Sequence, residues 1–142
     1  MSEETVSLMI LGEKKEYPKG TSFLKIAQDY QTQFEDDIVL ALYNNRLREL
    51  NKKAAADGNI EFITTADKTG RKAYRRSVTL LMQKAVYNLW GKERIGVRVK
   101  YSIGQGYYCE LVKTEAEEES VVKTTEKDAL DIKNEMYRMV VA

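Results

Sequence analysis

The sequence contains no histidine and a single cysteine, Cys109. Without imidazole there is no His-assisted serine, cysteine or threonine nucleophile, and no zinc site that needs a histidine ligand. One cysteine forms no intramolecular disulfide and makes no structural zinc site. Cys109 reads as a small buried hydrophobe in a strand; as a nucleophile it would need a base that histidine cannot supply here. Proline occurs once and glycine eight times, which argues against a long disordered tract. Apolar runs are short: Ile38 to Tyr43 is the longest, far below the length that spans a bilayer. The start, Met1-Ser2-Glu3-Glu4, is acidic and lacks the apolar stretch of a secretory signal. No membrane partner is expected, and the cytoplasm is the expected location. Net charge is +1, so any attraction for a polyanion must come from a local patch.

What is present is an ordinary mixture for a folded chain, with 43% hydrophobic and 32% charged residues. Its 142 residues suffice for one medium domain or two small ones. Val6, Leu8 and Ile10 alternate with Ser7, Met9 and Leu11, and Lys14 to Tyr17 returns after Gly12, which predicts a hairpin. Pro18-Lys19-Gly20 is a turn, and Thr21 is the expected N-cap of a short helix. Phe23, Ile26, Ala27 and Tyr30 give that helix one apolar face. Ile38 to Tyr43 reads as a strand, ended by the type I′ signal Asn44-Asn45. Arg46 to Leu50 pairs back, and Asn59 to Thr64 is the last strand of this half. Asp36-Asp37 precede a strand and mark a loop rather than a catalytic pair.

The pattern changes at Asp67 to Gly70. A helix is expected from about Arg71 to Trp90, capped by Asp67 or Thr69, with Tyr74, Val78, Leu81, Ala85 and Leu89 as a core stripe. A second hairpin follows, with Val97, Val99 and Tyr101 on one arm, Gly104-Gln105-Gly106 at the turn, and Tyr107 to Glu110 on the other arm. Glu115 to Glu119 reads as a solvated acidic loop. Thr125-Glu126-Lys127-Asp128 has the form of a capping box with Asp in place of Glu. It opens a last helix that carries Leu130, Met136, Met139 and Val140. The fold class is therefore α+β, with a β-β-α-β-β-β half of the β-grasp, or ubiquitin-like, kind and a helix–hairpin–helix half.

Arg71, Lys72, Arg75 and Arg76 are the sharpest charge feature, on one side of a helix near its N-terminus. A phosphate, an RNA backbone or an acidic partner fits such a face. The plainer reading is a solvated face paired with Glu115 to Glu119. Exposed aromatics often accompany RNA binding; Tyr107 and Tyr108 are the candidates, with one of the two expected in the core. Gly91 and Gly96 have the separation of a Walker A loop, but Val97-Arg98 follow where Lys and Ser or Thr are needed. Gly104 and Gly106 begin a Gly-x-Gly, yet Cys109 takes the third glycine position. Both read as turns.

Tyr17-Pro18-Lys19-Gly20-Thr21-Ser22 and Ile38-Val39-Leu40-Ala41-Leu42-Tyr43-Asn44-Asn45 resemble words of the TGS domain, found in threonyl-tRNA synthetases, some GTPases and stringent-response synthetases. Arg75-Arg76-Ser77-Val78-Thr79-Leu80-Leu81 and Ala85-Val86-Tyr87-Asn88-Leu89-Trp90 resemble the first helix of the synthetase editing domain, the second additional domain. Gly106-Tyr107-Tyr108-Cys109-Glu110 resembles that family's Gly-Phe-Tyr-Tyr-Asp strand. The resemblance implies a TGS domain over residues 1–66 and a truncated start of the second additional domain over residues 67–142.

The family's helix reads Arg-His-Ser-x-x-His, and Arg76 and Leu80 stand at its two histidine positions. Neither ligates a metal, so no catalytic residue and no metal site is expected. The Tyr-Arg-Arg-Ser and Gly-Tyr-Tyr-Cys-Glu words are similar to bacterial uridine-kinase-like proteins. That likeness implies a non-catalytic regulatory or ligand-binding module of an ATP-dependent nucleoside kinase. The kinase domain, with its ATP and magnesium, lies outside the chain and is the module's expected partner. The alternative is an RNA-binding accessory module related to the N-terminal region of threonyl-tRNA synthetase. A small ligand or RNA is the implied partner, with Arg71, Lys72, Arg75, Arg76, Tyr107 and Tyr108 as the binding residues.

Overall fold

Alternation gives strand β1, Thr5–Ile10, which buries Val6, Leu8 and Ile10 on one side. Strand β2, Glu13–Pro18, pairs antiparallel with it and buries Tyr17. This computed structural model describes residues 3–91, 95–115 and 118–141. Helix α1, Phe23–Tyr30, buries Phe23, Ile26, Ala27 and Tyr30, the four positions of the expected apolar face. Its cap is Ser22 rather than Thr21: the Ser22 hydroxyl accepts from the Lys25 amide at 3.2 Å. Thr21 instead donates its own hydroxyl to the Pro18 carbonyl at 2.6 Å, closing the preceding turn. A 3-10 turn over Gln31–Gln33 follows.

Strand β3, Ile38–Tyr43, turns at Asn44 and Asn45, both at positive φ (50° and 61°), into β4, Arg46–Glu49. Asparagine tolerates that left-handed backbone better than most residues. Strand β5, Gly58–Thr64, completes a five-stranded sheet of order β2-β1-β5-β3-β4, in which β1 and β5 run parallel and the other pairs antiparallel. The element order is the expected β-β-α-β-β-β. Val6, Leu8, Ile10, Tyr17, Phe23, Ile26, Tyr30, Ala41, Ala54 and Ile60 make one buried cluster. Phe34 and Phe62 close one side of it edge to face, with ring centroids 5.9 Å apart.

Helix α2, Lys68–Trp90, starts about one turn before the expected Arg71. Its buried residues are Ala85 and Val86 together with Gly70 near its start. Of the expected stripe, Ala85 is buried and Leu81 half-buried, whereas Tyr74, Val78 and Leu89 are exposed. Strands β6, Ile95–Ile103, β7, Gly106–Glu115, and β8, Glu118–Val122, form a separate antiparallel sheet. The expected hairpin is thus a three-stranded sheet. The expected acidic loop belongs in part to β7 and β8, while residues 116–117 lie outside the described residues.

Helix α3, Glu126–Val141, opens on the expected capping box. The Asp128 amide donates to the Thr125 hydroxyl at 3.2 Å, and the Thr125 amide donates to the Asp128 carboxylate at 3.0 Å. The chain divides into two compact units, Met1–Arg76 and Ser77–Ala142. Among the described residues no helix is long and apolar enough to cross a membrane.

Candidate nucleic-acid interface

The basic cluster is positioned by the way α2 begins. The Asp67 carboxylate accepts from the Thr64 amide at 3.0 Å, and the Asp67 carbonyl accepts from the Arg71 amide at 2.8 Å. One residue thus ties the end of β5 to the first helical turn. Gly70 allows that turn to lie against β5: a Cβ placed there would stand 1.9 Å from the Thr64 carbonyl oxygen.

With that side of the helix committed, the basic residues face elsewhere. At about 100° per residue, positions 68, 71, 72, 75 and 76 share an arc of about 140°, roughly opposite Gly70. Arg71, Lys72, Arg75 and Arg76 are all exposed, and so is Lys68. Lys68 is an addition the sequence reading missed, because the helix begins earlier than its apolar pattern. No acidic residue lies in the first turn. The cations therefore add to the positive end of the helix dipole, offset in part by the Asp67 carboxylate just before the helix.

Tyr107 and Tyr108 lie on β7 in the other unit. Contrary to the expectation that one of them is core, both are exposed. Tyr108 stacks on Tyr101 of β6, with centroids 5.0 Å apart and planes 13° from parallel. Cys109 is half-buried in β7, and burial pushes its thiol up. That favours the protonated thiol over the nucleophilic thiolate. Among the described residues no group of three or more His, Cys, Asp or Glu is placed to hold a metal. Asp36 and Asp37 serve through their backbone: the Asp36 carbonyl accepts from the Gln31 side-chain amide, and the Asp37 carbonyl from the Thr65 amide.

No protein-family model matches the chain. Among curated proteins it is similar to threonine–tRNA ligases. That of Syntrophomonas wolfei is 28% identical over 92% of this chain and 19% of its own length. That of Acholeplasma laidlawii is 30% identical over 82% of this chain and 18% of its own. That of Prosthecochloris aestuarii is 26% identical over 98% of this chain and 21% of its own. The chain spans about a fifth of the length of the curated relatives it matches. These relatives favour the synthetase side of the resemblance over the kinase side.

Proposed function

We propose that this chain is an RNA-binding accessory module related to part of threonyl-tRNA synthetase, and that it carries no editing chemistry of its own. The observation that carries this reading is the similarity to threonine–tRNA ligases over most of the chain. The strand order β2-β1-β5-β3-β4, with one helix packed on the sheet, is consistent with a β-grasp. It supports reading residues 1–66 as a TGS-type domain, and the span of the similarity to threonine–tRNA ligases supports reading residues 67–142 as the start of the second additional domain. Arg76 and Leu80, at the positions where the synthetase helix has its histidines, supply neither an imidazole nor any other metal ligand.

RNA would be held through its phosphates by Lys68, Arg71, Lys72, Arg75 and Arg76 at the start of α2. Tyr107 and Tyr108 are the candidate contacts in the other unit. Phosphate contacts release counterions, so binding to a tRNA pool is expected to weaken steeply between roughly 50 and 200 mM salt. The double variant Arg71→Glu, Arg75→Glu replaces attraction by repulsion on one side of the helix and should lose most of that binding. A variant that binds tRNA as well as the parent, with the same salt dependence, would remove this face from the site.

A further inference from the structure

The three-stranded sheet carries an aromatic surface that the basic helix does not explain. Arg98 stands opposite Glu110 in the β6–β7 register, and Lys100 reaches Glu110 at 3.7 Å. Tyr108 lies two residues before Glu110 on β7 and so shares its face. The register shifts between Val99 and Tyr101, so that Tyr101 pairs with Tyr108. That irregularity brings the Tyr101 ring onto the face of Arg98 and Lys100, where it stacks on Tyr108. Without the shift, strict alternation would send Tyr101 to the face opposite Lys100.

Both rings remain open to solvent, Tyr101 at 57% and Tyr108 at 41%. Tyr101 to Cys109 contains no charged side chain. Two large exposed apolar rings would ordinarily be turned inward or separated. Here a strand irregularity holds them together at the surface, beside two cations and the Glu110 carboxylate that pairs with one of them.

We infer that the Tyr101–Tyr108 pair is a stacking platform for unpaired nucleobases, on a face where Arg98 and Lys100 outnumber the one carboxylate, Glu110, and leave it net positive toward the adjoining phosphates. This rests on the RNA-binding reading and narrows it to single-stranded RNA. A flat phenol ring accepts the face of any base, whereas in a duplex those faces are already covered by neighbouring base pairs. The basic face of α2 attracts either form of RNA; the tyrosine pair distinguishes them.

The test compares a labelled unstructured oligouridylate with a labelled RNA duplex of equal length, using the whole chain and fluorescence anisotropy. Tyr101→Ala and Tyr108→Ala are each expected to weaken oligouridylate binding by about ten-fold and leave duplex binding unchanged. Tyr101→Phe and Tyr108→Phe keep the ring and should bind oligouridylate within about two-fold of the parent. They also serve where an alanine variant loses its fold by circular dichroism: a phenylalanine variant that binds poorly overturns the inference, because stacking does not need the hydroxyl. Oligouridylate binding unaffected by both folded alanine variants would also overturn it, and the RNA reading would stand on the basic helix alone. A parent chain that binds neither RNA would end the RNA reading itself.

Discussion

Gly70 is where one methyl group decides whether α2 can start where it does. Its missing Cβ leaves room for the Thr64 carbonyl, part of the backbone at the end of β5, which does not swing aside as a side chain would. Gly70→Ala is therefore expected to destabilise the protein by about 1–3 kcal/mol, the range for overpacking a tight contact. Urea denaturation measures this; a neutral or stabilising change would show that the helix start is free to shift. The sequence marked Gly70 only as part of a junction, because nothing in a single glycine distinguishes a close approach from a flexible link. The α1 cap shows the same limit. Thr21 and Ser22 are adjacent hydroxyl residues of equal promise, and only the bond from Thr21 to the Pro18 carbonyl leaves the cap to Ser22. Tyr107 and Tyr108 were legible as candidate contacts. Tyr101 was not, since its meeting with Tyr108 depends on a register shift that alternation does not reveal.

Element α2 shows how periodicity overstates burial. Tyr74, Val78, Leu81, Ala85 and Leu89 follow helical spacing well, yet the deeply buried side chains are Ala85 and Val86. Periodicity identifies a helix and its apolar side, but how much of that side is covered depends on the neighbours it meets. Val86→Ala should accordingly cost about 1–3 kcal/mol, from two lost methyl groups and the space they leave. Val78→Ser should stay within about 0.5 kcal/mol. Equal losses in chemical denaturation would restore the expected stripe. Strand β8 is not legible in the sequence, because Glu118 and Glu119 look like loop residues.

Helix α3 is more fully legible in the sequence, since its capping box is a purely local pattern. Two of its carboxyls also link it to acid. Glu135 takes hydrogen bonds from Arg138 and from Asn88 of α2, the Arg138 bond being the stronger cause, and is held down at about 2. Asp128 is lowered by its bonds with Thr125. A carboxyl whose folded-state value lies below its unfolded one, near 4, stabilises the fold above that pH and stops doing so as pH falls through the folded value. Helical signal from α3 should thus weaken between about pH 4 and pH 2, and Glu135→Gln should lessen that dependence. An unchanged acid profile in Glu135→Gln would show that its bonds do not hold the helix.

At the scale of the whole chain, the two halves differ in what holds them. The element order of the first unit is legible because alternation, the Asn44-Asn45 turn and the α1 face all point to one arrangement, and the buried cluster from Val6 to Ile60 agrees with it. In Ser77–Ala142 the buried hydrophobic residues among those described are Ala85, Val86, Leu111 and Val112, and α3 has none. Burial of apolar area is the main favourable term in folding, so α3 rests chiefly on half-buried contacts, its capping box and the Glu135–Asn88 bond. Segments with few buried apolar contacts open locally at a lower free energy than the global one. Native-state hydrogen exchange should therefore find the slowest amides in β1, β3 and β5 and clearly faster ones throughout α3. With increasing urea, the α3 amides should keep a lower opening free energy until global unfolding overtakes it. Exchange of α3 with the same opening free energy and urea dependence as β1 would mean that the chain unfolds as one cooperative whole. The half-buried face of α3 would then contribute far more than its exposure indicates.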